Sequence, residues 1–367
     1  MSIIHLPSHP DTVRWGTLPA RGDRPVAAIN AGDTLHIDTL SHEGLLEEQG
    51  KDPLGFFQAQ GVASSDILAD AAAIAAESDH PHGSGPHVVN GPVEVRGAKP
   101  GDWLAIDILR LSPRVDYGII SNRHGKGVLP SMPEAGRRTV SIFARRMRVN
   151  GKAVGVMRKT GPDAIDAYHT YLAGGAPASL PEPDDPDTVA FPLCPFLGII
   201  GVTPDTGEHL STVPPGDFGG NLDINLMVEG TRLYLPVFVD GAGLYAGDPH
   251  FAQGDGEVAL TALEASLEAD LRVGVIAGPD FTRRFGVLQG PLLETSDYLV
   301  TTGRALRLDD ALEHCVEESL RLLVDGCGFD RAHAYAYLSA AADFDISEAV
   351  DIQRGVHAAI RRADIGR

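Results

Sequence analysis

Basic residues are scarce in this sequence. The 30 Lys and Arg stand against 50 Asp and Glu, a formal net charge of −20 at pH 7. A field of that sign repels phosphate backbones and anionic lipid, which argues against a nucleic-acid partner or a membrane-surface role and favours a neutral or cationic small molecule. Cysteine is scarcer still. Cys194, Cys315 and Cys327 are widely spaced with no C-x-x-C, so neither a disulfide framework nor a cysteine zinc site is expected. Long hydrophobic runs are missing too. The longest, "FPLCPFLGIIGV" (191–202), carries two prolines and is too short to span a bilayer, and "MSIIHLPSHPDTVRW" lacks the basic and apolar regions of a signal peptide. A soluble, cytoplasmic protein is expected. No G-x-S-x-G elbow occurs, which removes the usual serine-hydrolase recipe.

Glycine and proline, by contrast, are plentiful. Gly 42 and Pro 26, in a chain that is 43% hydrophobic, point to turns and short strands around a sizeable core rather than to a helical bundle. "RPVAAINAGDTLHIDTL" (24–40) reads as two strands about a turn, the second alternating Leu35, Ile37 and Thr39 against His36 and Asp38. "SDILADAAAIAAES" (65–78) is Ala-rich and helical, with Ser64 or Ser65 as caps. "GPVEVRGAKPGDWLAIDILRL" (91–111) gives two more strands, and "TVSIFARRMRVNGKAVGVM" (139–157) has the Asn-Gly turn of a hairpin. Strand material resumes at 198–203 and 231–239, whereas 257–277 is helical by propensity in its first half and alternates like a strand in its second.

The late segments are helical. In "LDDALEHCVEESLRLLVDGCG" (308–328), Leu308, Ala311, Leu312, Cys315, Val316, Leu320 and Leu323 form one stripe, with Asp309 as cap and Gly326 as stop. "DRAHAYAYLSAAAD" (330–343) is a second helix. The pattern divides the chain into a β-rich part (1–174), a Pro- and Asp-rich linker or insertion (175–190), a β-rich catalytic part (191–305) and a helical tail (306–367) packed on the body. The fold class is β-rich α+β, its helices gathered towards the C-terminus.

Chemistry concentrates in glycine-bounded clusters. "GDPHFAQGDGE" (247–257) brings Asp248, His250, Gln253, Asp255 and Glu257 into one loop with almost nothing apolar to bury. "DHPHGSGPHVVNGP" (79–92) adds Asp79, His80, His82 and His87, and "PPGDFGGNLDIN" (214–225) adds Asp217, Asn221, Asp223 and Asn225. Two histidines with one or two carboxylates suit a divalent ion such as zinc with a position left open for water. None of these segments has the fixed His spacing of known zinc motifs, and each His read singly fits a surface turn as well. Residues 254–259 match G-x-G-x-x-A, but no apolar strand leads in, and Asp255 and Glu257 would repel a pyrophosphate, so a dinucleotide loop is set aside. Cys194 has no nearby cation in sequence to lower its pKa and reads as a buried structural thiol.

Four stretches resemble the acetamidase/formamidase family. They are "GPHVVNGPVEVRGAKPGDWLAIDIL" (85–109), "PFLGIIGVTP" (195–204), the long block "STVPPGDFGGNLDINLMVEGTRLYLPVFVDGAGLYAGDPHFAQGDGEV" (211–258) and "AYAYLSAAADFDISEAVD" (334–351). Residues 112–190 are divergent, and "NRHGKG" (122–127) within them is expected to shape the pocket. The resemblance implies hydrolysis of a small neutral amide to carboxylate and ammonia, a jelly-roll or β-sandwich-like portion, a divalent metal and a homo-oligomer. It carries a role to His87, Gly219, Gly220, Asn221, Asp223, Asp248, His250, Gln253, Asp255 and Glu257.

On that footing His87, Asp248 and His250 are the expected metal ligands, with zinc the expected ion, and Glu257 is the general base and acid. Asn221, or backbone N–H groups at Gly219 and Gly220, would hold the developing oxyanion, and Asp223 would be a ligand or orient one. Three alternatives stay open: a lactam or cyclic imide opened in the same site, a binding protein that kept the fold without the chemistry, and a metal-free Cys194 nucleophile served by Glu257.

Overall fold

The computed structural model describes residues 2–366, and two large sheets organise it. The first holds nine strands in the spatial order Ile3–Leu6, Thr34–Asp38, Leu267–Ile276, Trp103–Pro113, Arg232–Pro236, Leu292–Glu294, Tyr298–Ala305, Arg354–Arg361 and Asp343–Glu348. The second holds eleven. Eight run in the order Thr188–Pro192, Lys152–Arg158, Thr139–Val149, Tyr117–Arg123, Leu263–Glu264, Leu244–Ala252, Phe196–Val202 and Gly219–Asn221, and Val88–Arg96 pairs with Leu244–Ala252 and with two short N-terminal strands. The main core lies between the sheets. Leu35, Ile37, Ile106 and Leu271 of the first meet Val93, Ile119, Ile200 and Phe251 of the second in one cluster of buried residues. Such a two-layer body follows from strands that are apolar on one face.

Several local expectations hold for the reasons given. The hairpin turn falls on Asn150 and Gly151, whose φ values of 51° and 79° are those an Asn-Gly turn supplies. The two longest α-helices, Leu308–Arg321 and Arg331–Ala341, stand near the C-terminus. Among the described residues, no helix is long and apolar enough to cross a membrane.

Other expectations are corrected. Neither Ser64 nor Ser65 caps a helix, because Ser64–Asp66 closes its own 3₁₀ turn and the α-helix begins only at Ala69, with Leu68 at its N-cap. Asp309 is in the first turn rather than at the cap, which Arg307 occupies. The helical run does end at Gly326 as expected, but its last turn, Leu322–Gly326, is a π-turn with Cys327 as C-cap. Leu308 and Leu312 of its expected stripe are exposed, since the helix lies against the Tyr298–Ala305 strand along the narrower line of Ala311 and Cys315. Gly303 permits that approach, for a Cβ there would meet the Cys315 Cα at 2.6 Å.

The tail also contains two strands, Asp343–Glu348 and Arg354–Arg361, the second pairing along the whole of Tyr298–Ala305. Both sheets draw strands from residues 1–174 and from 191–305, so these parts interleave in space. Residues 257–262 form no helix, despite their propensity. Gly256, Glu257 and Leu260 all have positive φ, and the Thr261 Oγ1 accepts from the Ser121 N–H, which ties the segment to the neighbouring strand.

Candidate active site

The strand Leu244–Ala252 is buried over all but its last residue and delivers the centre of the site. Asp248 and His250, two apart, project to the same face of a pleated strand. His250 lies opposite Glu264 on one neighbouring strand and opposite Phe196 on the other. Gly198, on the same strand as Phe196, makes room for them. A Cβ added there would lie 2.7 Å from Asp248 Oδ2 and 2.8 Å from His250 Cε1, and would also run into Asp223 Oδ1. Asp223, Asp248 and Glu257 each hold a left-handed backbone, with φ of 47°, 53° and 45°. Side chains other than glycine seldom adopt that conformation, and where three carboxylates of one cluster share it the strain marks a functional site.

These residues converge with others from distant segments. The His250 Nε2 is 3.1 Å from both Asp248 Oδ2 and Glu264 Oε1, and its Nδ1 is 3.9 Å from Asp223 Oδ1. The His42 Nδ1 is 3.8 Å from Asp248 Oδ1, and the His87 Nε2 is 3.9 Å from the same oxygen. The other His87 nitrogen, Nδ1, is 3.0 Å from Thr212 Oγ1. Three overlapping groups therefore form: His42, His87 and Asp248; Asp248, His250 and Glu264; Asp223, His250 and Glu257. Within each, the ligand atoms all lie within 4.8 Å of one another.

Most of these atoms are buried without a hydrogen bond. Both nitrogens of His42 and of His250, both oxygens of Asp223, Asp248 Oδ1 and Glu264 Oε2 have no aligned partner. A buried polar atom left unsatisfied costs about 1–3 kcal/mol, so a set of them aimed at common points calls for a shared occupant. Imidazole nitrogens mixed with carboxylate oxygens are the donors that hold zinc or a similar divalent ion, so these residues fit such an ion.

Charge leads to the same conclusion. Burial, together with Asp248, raises the Asp223 carboxyl well above the usual range. Burial, with the charges of Asp223 and Asp351, does the same for Glu257, and burial also raises Asp351 and Glu264. At Asp248 burial works against ionisation, but His87 and His250 outweigh it and hold the group below the ordinary range. Burial opposes the charged form of His250 too, yet Glu264 and Asp248 raise it well above its ordinary value. His87 is pushed down to about 4 by burial, which leaves it a neutral imidazole, the form that binds a metal. Without a cation, burial favours protons on Asp223, Glu257, Asp351 and Glu264, while Asp248 stays ionised.

The cluster forms one wall of a cavity of about 360 Å³. Leu46, Val213, Leu260 and Ile352 supply an apolar side, and Arg123 and Lys126 from the divergent stretch also line it. Of the residues singled out from sequence, His87, Asn221, Asp223, Asp248 and Glu257 line this cavity, and His250 lies directly behind Asp248. The Asn221 Nδ2 donates to Asp351 Oδ2 at 2.6 Å, leaving its Oδ1 without a partner. Gln253 is a brace rather than a wall residue, donating to the backbone oxygens of Asp223 and Ser347.

Five expectations are not met by the geometry. Gly219 and Gly220 do not line the cavity, and the Gly219 N–H is already donated to the Gly216 oxygen, so they offer no oxyanion donors there. Asp255 points outward and accepts from Asn225 Nδ2, because Gly256 and Glu257 turn the chain between it and the site. Asp217 pairs with Arg304 elsewhere on the surface. His80 stacks on Trp15 at the cavity rim, 4.3 Å between ring centroids, while Asp79 and His82 stay outside the cluster. Cys194 is exposed instead of buried, and it is not on the cavity wall.

Sequence reasoning misses His42, Glu264, Glu348 and Asp351, and also Glu43, whose Oε1 is 3.5 Å from His42 Nε2. "SHEG" (41–44) was a legible signal of the same kind as the clusters that were singled out, whereas Glu264 sits in a stretch whose composition reads as helix. Glu348 braces the far side, its Oε2 accepting the Val350 and Asp351 N–H groups at 2.8 Å.

Comparison with known proteins agrees on one kinship. The profile of the acetamidase/formamidase family matches residues 72–210 and 206–362. A formamidase of Methylophilus methylotrophus is 31% identical over 259 residues, covering 61% of this chain and 61% of the formamidase. An acetamidase of Mycolicibacterium smegmatis is 32% identical over 243 residues, covering 56% of this chain and 57% of the acetamidase. The chain thus spans about three fifths of the length of the curated relatives it matches. A crystal structure of a predicted acetamidase/formamidase of Thermoanaerobacter tengcongensis superposes with a TM-score of 0.72 at 23% identity, covering 100% of this chain and 98% of that one. A γ-lactamase of Delftia acidovorans gives 0.54 at 21% identity, with 97% and 90% covered. At such identities the two structures speak for the fold alone.

Proposed function

We propose that this chain, which belongs to the acetamidase/formamidase family, hydrolyses a small neutral amide to carboxylate and ammonia with the help of a divalent metal ion, zinc being the best fit. The observation that carries the reading is the set of buried, unpartnered His and carboxylate atoms beside a cavity of about 360 Å³. The expected trio is divided: Asp248 would be shared by two candidate positions, one with His42 and His87 and the other with His250 and Glu264. When bound, such an ion supplies Lewis acidity toward a carbonyl and brings the pKa of water from 15.7 towards about 7.

The remaining work falls to the chain itself. Glu257 takes a proton from water and returns it to the departing nitrogen, the role of a buried carboxyl whose pKa burial raises above the ordinary range. Asp223 faces both His250 and Glu257 and keeps them in register. Asn221 lines the cavity with one Nδ2 hydrogen donated to Asp351, and its second Nδ2 hydrogen would serve the developing oxyanion. The apolar side excludes water around the acyl group, and the carboxylate-rich floor disfavours an anionic substrate. Three free thiols accord with a reducing, cytoplasmic setting, and the exposed apolar residues Leu308, Leu312 and Tyr335 with a homo-oligomer; both are part of the proposal.

A panel of short aliphatic amides tests the reading. Ammonia release from at least one of them by metal-replete protein is the expected result, and a silent panel would count against it. A second reading, lactam opening, is favoured by a cavity with far more room than a two-carbon amide needs. It is distinguished by product, since a ring-opened lactam yields an amino acid and no ammonia.

Metal removal should make stability depend on pH in a defined direction. Asp223, Glu257 and Asp351 have raised pKa values in the folded chain, as do His42 and His250. The folded state therefore holds more protons than the unfolded one. That stability is fully present below the unfolded values and is lost as pH rises through the folded ones. His87 acts oppositely, but only between about 4 and its ordinary 6.5. The chelated protein is expected to melt at progressively lower temperature as pH rises above about 6.5, with zinc restoring the loss. Thermal scans across pH, with and without chelator, check this.

A further inference from the structure

Outside the catalytic cavity, the outer face of the first sheet carries a second constellation of His and carboxylate groups. The strand Thr34–Asp38 buries Leu35 and Ile37 and turns His36 and Asp38 outward. The edge strand Ile3–Leu6 runs parallel to it in a register that sets His5 beside His36, and on the other side Asp270 is the register partner of His36. Cross-strand partners share a face, so His5, His36 and Asp270 form a row across three strands, with Asp38 next along.

We propose that His5, His36 and Asp38 form a second divalent-metal site, distinct from the catalytic cluster, which takes zinc or a similar borderline ion. The ligand atoms of these three residues all lie within 4.8 Å of one another. The His5 Nε2 is 2.7 Å from Asp38 Oδ2, and the His36 Nε2 is 3.6 Å from Asp38 Oδ1. Ligand atoms around a tetrahedral zinc stand roughly 3.4 Å apart, given bonds of about 2.0–2.2 Å, so small side-chain rotations would suffice.

The arrangement behind His36 is the specific part. Its Nδ1 is 2.5 Å from Asp270 Oδ1, and Asp270 is itself held by the Arg110 Nε at 3.0 Å. With Nδ1–H donated to Asp270, a neutral ring turns its Nε2 lone pair toward the Asp38 carboxylate. Two electron-rich atoms facing each other across 3.6 Å need a cation or a proton between them. A carboxylate behind the far nitrogen is how proteins orient a metal-binding imidazole. Asp38 is fixed as well, since its backbone oxygen accepts from Ser8 Oγ at 2.6 Å. His36 and Asp38 have side chains 22% and 17% exposed, whereas His5 at 54% leaves the outer side open to water for the remaining coordination positions. None of these residues lines the catalytic cavity.

The site is tested by counting ions on the untagged full chain, titrated with zinc and then with cobalt(II). His5→Gln is placed on an exposed edge and should fold normally. It is expected to take up one ion fewer per chain than the parent while any amide hydrolysis stays unchanged. Asp270→Asn should keep the site but weaken its zinc affinity by about 10–100-fold, the usual effect of losing such an orienting partner. Equal ion counts and equal affinities in the parent and both variants would overturn the proposal. The count is independent of catalysis, so it stands or falls separately from the amide reading.

Discussion

Glu257→Gln is expected to lower turnover by about 10²–10⁴-fold while leaving fold and bound metal in place, which is the usual worth of general acid–base catalysis. The substitution keeps the shape of a buried side chain and removes only the basic oxygen. Glutamine tolerates the left-handed φ of 45° no worse than glutamate, so the loop has no new strain to absorb. Its neighbours Asp223 and Asp351 carry charges that raise the Glu257 pKa, and a neutral amide removes that repulsion, so the melting temperature should hold or rise. Ammonia release, metal content and thermal melting measured together check the role. A variant that loses its metal would instead make Glu257 a ligand, consistent with its place beside His250 and Asp223. A variant as active as its parent would remove Glu257 from the chemistry.

His250→Ala should fail differently, losing metal, activity and stability together. The ring is fully buried at the centre of the cluster, 3.1 Å from both Asp248 and Glu264, with Phe196 against its edge. Its loss leaves two buried carboxylates facing each other without the group between them. Breaking a buried ionic contact in this way typically costs about 3–5 kcal/mol. Metal per chain is expected to fall with turnover, and excess zinc should restore part of both, because His42, His87 and Asp248 remain. The two variants separate proton transfer from coordination. Retention of full metal content by His250→Ala would assign coordination to the other residues.

What could be seen in the sequence was whatever is local. Alternation of Leu35 and Ile37 against His36 and Asp38 specified a strand and its two faces, and the Asn150–Gly151 pair specified a hairpin, because a pleat repeats every second residue and a tight turn is set by its own φ angles. The stretch 247–257 stood out because it holds side chains that can bind or react, but it is a loop only beyond Ala252, its first six residues being the end of a buried strand. Which of its acids face the cavity was not local. Asp255 and Glu257 are two residues apart and end on opposite sides, since Gly256 and Glu257 both take positive φ and reverse the expected alternation. Glu264 joined the site only because its strand lies opposite His250, against the helical propensity of its neighbours, where pairing and burial outweigh a preference of about a kcal/mol or less per residue. His42 and Asp351 arrive from far apart in the chain, carried in by the packing of two interleaved sheets. Their convergence depends on register and packing between segments that share no short-range sequence signal, so only the tertiary structure could decide it.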